Sequence, residues 1–181
     1  MNSSGGDSKS SELPDHQALV HPEPKMSTRV AGTVDADSVR FLRHLARVHI
    51  SQQRGGEVAL LSDFADLEAP ESNDAQDLTA DRLVWLGCID DVAVGYVSAQ
   101  ILQLTDGYAL CQIREMFVES EAREIGVGEL LMKCVTQWAQ ERGCGGIDAT
   151  AMPGDRETKN FFETFGLVAR AITVHQDLRG T

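Results

Sequence analysis

With 181 residues, an apolar fraction of 42% and a formal net charge of −12 at pH 7, the chain fits a single domain with a sizeable core. No apolar run approaches the roughly 18 residues that span a bilayer, and the acidic balance opposes nucleic acid, whose phosphates demand Lys and Arg. A cytoplasmic protein with neither a membrane nor a nucleic-acid partner is expected, and Cys88, Cys111, Cys134 and Cys144 lack the spacing of a metal site.

Residues 1–26 are rich in Ser, Gly and Pro with few large apolar side chains, so they bury too little surface to offset their ordering entropy. A disordered leader is expected there, ahead of a domain over 27–181. Thr28–Val34 reads as a short strand. Asp37 stands where it would cap a helix carrying Phe41, Leu42, Leu45, Ala46, Val48 and His49 to about Arg54, with Gly55-Gly56 as its stop. Val58–Leu61 reads as either strand or helix. From Ser62 to Asp81 the chain holds Asp63, Asp66, Glu68, Glu71, Asp74, Asp77 and Asp81 with no Lys or Arg, which makes either a solvated loop or a rim that attracts cations.

Leu83–Ile89 and Val92–Leu104 flank Asp90-Asp91, a hairpin signal, and Tyr108–Val118 adds a third strand to an antiparallel meander. Beyond it, Val127, Leu130, Leu131, Cys134, Val135, Trp138 and Ala139 recur at helical spacing, which predicts a helix from about Gly126 to Arg142. A strand over Gly146–Met152, a helix over Asp155–Phe165 ended by Gly166, and a last strand over Leu167–Leu178 complete the order. Consecutive strands before single helices make an α+β fold with a mixed sheet, not the repeated βαβ of a Rossmann fold.

Arg123-Glu124-Ile125-Gly126-Val127-Gly128 joins the meander to the amphipathic helix. Its two glycines let the backbone approach an anion, and the helix offers unpaired N–H groups and the positive end of its dipole. Gly-x-Gly-x-x-Gly is absent and no Lys follows the glycines, so the phosphate guest is held in neither dinucleotide-fold nor P-loop fashion.

With those residues in view, the chain resembles the GNAT superfamily of acetyl-CoA-dependent N-acetyltransferases, whose hallmark is Arg/Gln-x-x-Gly-x-Gly/Ala between a fourth strand and a long helix. Met116-Phe117-Val118 followed by Glu121–Gly128 resembles that family's strand-loop-helix unit, and Phe161-Phe162-Glu163-Thr164-Phe165-Gly166-Leu167 resembles its aromatic segment. Over about Thr28 to Leu178 the resemblance implies one α+β domain, a mixed, mostly antiparallel twisted sheet flanked by helices and splayed between its fourth and fifth strands. It implies that amides from Ile125 to Glu129 bind the pyrophosphate of acetyl-CoA, while the edge of Met116, Phe117 and Val118 pairs with the pantetheine arm. Arg123, Glu124, Ile125, Gly126, Val127, Gly128 and Glu129 thus form the expected cofactor loop. The acceptor would be a small-molecule amine or a peptide or protein amine, and family members often form homodimers.

An amine with a pKa near 10.4 is neutral only about once in 2,500 molecules at pH 7, roughly 4.6 kcal/mol against attack, so a base or a desolvating pocket is needed. Glu115, on the strand leading to the cofactor edge, is the first candidate base, against an ordinary strand residue or a partner for Arg114 or Arg82. Asp148 is a second candidate and His175 a third, each against a structural reading. A tyrosine in the last helix often protonates the departing thiolate in this family, and Phe162 stands at that position. The family's pantetheine-contacting Asn corresponds to Asp155, read first as a helix N-cap, with Asn160 as a substitute. Arg156 and Lys159 either touch the adenosine phosphates or form a solvated face. The competing class is a non-catalytic acyl-CoA-binding or protein-interaction module on the same fold.

Overall fold

The computed structural model describes residues 24–64 and 81–178. The expected leader lies outside them up to residue 23, as does the acidic segment from 65 to 80. Strands β1 (Met26–Val30), β2 (Arg82–Ile89), β3 (Val92–Gln103) and β4 (Ala109–Val118) lie side by side as antiparallel neighbours, and β5 (Gly146–Ala149) joins β4 in parallel. Helices α1 (Ala36–Ser51), α2 (Gly56–Leu61), α3 (Val127–Glu141) and α4 (Arg156–Thr164) accompany this mixed sheet. The architecture is the expected α+β domain.

The hairpin between β2 and β3 turns on Asp90 and Asp91, whose φ of 47° and 67° match the right-handed twist of the strands they join. Strand β2 is apolar almost throughout because both of its faces are covered. Leu83 and Trp85 pack with Val127, Leu131, Val135 and Trp138 of α3, while Val84, Leu86 and Cys88 pack with Val39, Leu42 and Ala46 of α1. Each fully buried leucine contributes roughly 1.5–3 kcal/mol through water removal, and Trp85 meets Trp138 edge-on at 5.3 Å between ring centroids. Helix α3 approaches the sheet closely at Gly87, where an added Cβ would lie 2.5 Å from Val127 Cγ1.

Several boundaries differ from the sequence reading. Asp35, not Asp37, stands at the start of α1, taking the Gly32 amide at 2.9 Å and the Arg29 guanidinium, while Asp37 is exposed and pairs with Arg40. That helix ends at Ser51, ahead of Gly55 at φ 77°, and Val58–Leu61 is helical. The strand expected over Gly146–Met152 stops at Ala149 because β4 pairs with it only from Leu110 to Ile113. The last strand expected over Leu167–Leu178 does not form. Val168, Ile172, Val174 and Leu178 are between 79% and 90% exposed. Their alternation signals a face to be buried, but β5 is four residues long and Asp148 on it takes Arg170 as an ion pair instead, so no ladder extends along that edge.

Candidate active site

Strand β4 changes face halfway along. Ser98 pairs with Glu115, but Ala99 pairs with Ile113, so Arg114 is an extra residue and the strand bulges there. Before the bulge, Cys111 and Ile113 point into the core beneath α3. A one-residue insertion reverses the parity that follows, so Met116 and Val118 join the α3 side while Phe117 turns to the α1 side. Glu115 shares that α1 side and meets Tyr96 and Arg43 there. The pairing of β4 with β5 ends at Ile113, so from Arg114 onward that edge of β4 is open and the two strands part.

A pocket of about 50 Å³ lies in this opening. Helix α1 contributes Ala46, His49 and Ile50, β4 contributes Ile113 to Phe117, and Thr150 and Met152 follow β5. Asp155, Thr158 and Phe162 close it from α4. Glu115 is 5% exposed and its Oε2 takes two contacts, the Tyr96 hydroxyl at 2.8 Å and Arg43 Nε at 3.3 Å. Its Oε1 is buried with no hydrogen-bond partner among the described residues. Burial raises the Glu115 pKa against the opposing pull of the Tyr96 hydrogen bond and of Arg43, and burial also pushes Tyr96 well above the ordinary phenol value, which keeps that hydroxyl a donor.

The loop that should grip phosphate is formed by backbone. Gly126 precedes α3 with φ 101°, no side chain caps the helix, and Glu124 is also left-handed at φ 63°. The first amides of α3 are therefore left to an outside acceptor. Gly128 lets Phe161 of α4 come close: an added Cβ would stand 3.1 Å from its ring and 3.7 Å from Met116 Cε. Met116 thus joins the helix start to the pocket wall. Arg123 turns inward, its Nε donating to the Val118 carbonyl at 3.0 Å and its Nη1 pairing with Glu157 at 3.1 Å. It braces the loop against β4 and α4.

The other candidates scatter. Asp148 is held by Arg170 and does not line the pocket, Asn160 is exposed on α4, and His175 is exposed in the irregular tail. Arg156 is exposed and Lys159 pairs with Glu163. Asp155 does cap α4, accepting the Thr158 amide at 3.0 Å on Oδ1, while its Oδ2 lies 3.7 Å from His49 Nε2. Sequence reasoning missed Arg43, Tyr96 and His49 as site residues. Arg43 carried a signal, since Val39, Leu42, Arg43 and Ala46 share one helical face and a charge on an inward stripe needs a buried partner.

A mixed sheet thus parts beside an uncapped helix start, with a pocket at the parting. Residues 53–167 match the model of the acetyltransferase (GNAT) family, and the chain belongs to that family as an acetyl-CoA-dependent acyltransferase. No curated protein is similar enough to count as a match. Solved structures of similar fold include the aminoglycoside acetyltransferase AAC(6')-Iy with a bisubstrate analogue, CoA-S-monomethyl-acetylneamine, at 19% identity and a TM-score of 0.59, covering 84% of this chain and 99% of that one. A Trypanosoma brucei acetyltransferase aligns at 21% identity and 0.58, covering 85% and 100%. The ribosomal-protein-alanine N-acetyltransferase of Brucella melitensis biovar Abortus 2308 aligns at 15% and 0.59, covering 85% and 100%. At such identities the likeness is one of fold. Among the described residues no helix is long and apolar enough to cross a membrane.

Proposed function

We propose that the protein transfers the acetyl group of acetyl-CoA to a primary amine by direct attack within a ternary complex. The observation that carries this reading is the parting of β4 from β5 at the Arg114 bulge, with the pocket on one side of Met116 and the uncapped start of α3 on the other. The amides of Val127, Gly128 and Glu129, presented by the loop Arg123–Gly126, hold the pyrophosphate. The open edge of Met116 and Phe117 takes the pantetheine arm as an added strand, while Val118 has its carbonyl engaged by Arg123. The thioester then ends in the pocket.

Glu115 accepts the proton that an arriving ammonium loses before it attacks. Its unpartnered Oε1 and burial-raised pKa suit that exchange better than an exposed carboxylate would. The acidity of Ser62–Asp81 favours a cationic acceptor, and the neamine-derived analogue bound by AAC(6')-Iy supports a small polyamine over a neutral amine.

The test is thiol release from acetyl-CoA against aminoglycosides, polyamines and lysine- or alanine-ended peptides. Wild-type turnover on at least one amine is expected, with Gly126→Trp abolishing acetyl-CoA binding and Glu115→Gln sparing it while lowering turnover about 100-fold. Acetyl-CoA binding with no turnover on any amine would instead select the non-catalytic acyl-CoA-binding module. Phe162, which offers no hydroxyl to the pocket, is the residue that favours that second reading.

A further inference from the structure

An ammonium that becomes an amide loses two protons. The first leaves before attack. The second leaves as the C–N bond forms, while the C–S bond breaks and a thiolate with a pKa near 8.5 departs. Of the residues lining the pocket, Phe162, Met116, Phe117 and Ile113 cannot carry that second proton, the Thr150 and Thr158 hydroxyls are too weakly acidic, and Arg114 does not release one. The lining residue whose uncharged ring can both accept and donate a proton is His49.

We infer that His49, oriented by Asp155, takes the second proton from the attacking nitrogen and delivers it to the CoA sulfur. This rests on the acyl-transfer reading above. The balance closes: one ammonium and one thioester give one amide, one thiol and the single proton that leaves by way of Glu115. The geometry is specific. His49 sits on the last full turn of α1, and its Nε2 lies 3.7 Å from Asp155 Oδ2, a carboxylate whose side chain is 10% exposed and which is fixed in place by capping α4 through Oδ1. Nε2 faces the carboxylate just beyond hydrogen-bond distance, so the two groups attract as charges once the ring is protonated. A charged Asp155 stabilises the imidazolium in a way that an amide at this position would not. Phe117 flanks the ring at 6.4 Å between centroids. The other charged side chains lining the pocket are Glu115 and Arg114 on β4, and on the helix that carries His49, Arg43 pairs with Glu115 while Arg47 donates to the Phe64 carbonyl.

The experiment uses the full chain with acetyl-CoA and three probe amines, neamine, spermidine and a lysine-containing peptide, and measures thiol release from about pH 5.5 to about 9.5. His49→Gln should lower kcat/KM about 30- to 100-fold, with acetyl-CoA affinity within about twofold of wild type. Asp155→Asn keeps the helix cap, so its unfolding midpoint should stay put while kcat falls about fivefold with KM little changed. Phe162→Tyr should restore about fivefold activity to His49→Gln by returning a proton donor to the pocket. Retention of more than half the wild-type rate in either His49→Gln or Asp155→Asn overturns the assignment. A wild-type protein that binds acetyl-CoA but acetylates none of the three probes overturns the acyl-transfer reading itself, a result separable from failure of the histidine because it is read on the unaltered protein.

Discussion

Gly87 lies on β2, forty residues before α3, yet it governs how the loop proposed to bind the donor is held. A methyl group built there would stand 2.5 Å from Val127 Cγ1 and 3.3 Å from Leu131 Cδ1. A separation of 2.5 Å is about 1.3 Å inside ordinary carbon contact, too much for a side-chain adjustment when Val127 is 1% exposed and opens the helix. Gly87→Ala should therefore lift the start of α3 from the sheet and cost about 1–3 kcal/mol, offset by about 0.5–1 kcal/mol because alanine restricts the unfolded strand. Because the lifted residues carry the amides proposed to hold pyrophosphate, acetyl-CoA affinity should fall about tenfold with it. Val127→Ala removes the opposing methyl. Alone it should destabilise by about 1–2 kcal/mol through lost burial, but combined with Gly87→Ala it should recover at least about 1 kcal/mol of coupling. Urea unfolding and calorimetric titration with acetyl-CoA, run on both single variants and the double, measure each quantity. Additive stabilities, or a Gly87→Ala protein with unchanged acetyl-CoA affinity, would refute the link between this strand and the loop.

Three further outcomes follow from features outside the pocket. The Arg29 guanidinium holds the Asp35 carboxyl below the usual range; such a group stabilises above its unfolded pKa near 3.9 and loses that contribution as pH falls through the folded value. Asp35→Asn should thus cost about 1 kcal/mol in urea unfolding at pH 7, the low end for a charge-assisted bond since Arg29 is half in solvent, and the difference from wild type should vanish in strong acid. Burial pushes the Cys111 thiol up to about 12, so iodoacetamide at pH 8 should leave it unmodified in the native protein, and mass spectrometry would locate the label. Arg123→Ala removes the clamp on the Val118 carbonyl and Glu157; acetyl-CoA affinity should drop about threefold to tenfold with little change in kcat, and steady-state kinetics would separate the two.

How much of this was legible beforehand varies with the kind of signal. The Asp90-Asp91 turn and the apolar stripe of α3 were readable because local backbone preference and helical periodicity act within a few residues. Even there Met132 replaced Leu130 among the fully buried side chains, a rotation set by the sheet beneath. The glycine loop and the helix it opens were readable from spacing, whereas the inward turn of Arg123 was not, because its acceptor is a carbonyl that only the folded strand positions. The tail after Gly166 misled for a related reason: alternating apolar residues state a need for burial, and whether an edge exists to meet it is a matter of topology. Glu115 could be picked from its strand position, but its contact with Tyr96 and Arg43 depends on a one-residue insertion that leaves no compositional trace. His49 and Asp155 are 106 residues apart in numbering, meet only across the pocket, and could not have been paired from one sequence.

The insertion at Arg114 also divides the labour of a single strand. Cys111 and Ile113 are interior to the α3 core and Leu110 to Ile113 are paired on both sides, so changes there should register in folding yield and thermal tolerance. Residues from Glu115 onward have one edge released and lie against the pocket, so changes there should register in which amine is chosen and how fast it is consumed. A chain built this way can alter its substrate preference over a short run of residues without renegotiating the packing that keeps it folded, and a library confined to that run would explore acceptor specificity at little expense in soluble protein.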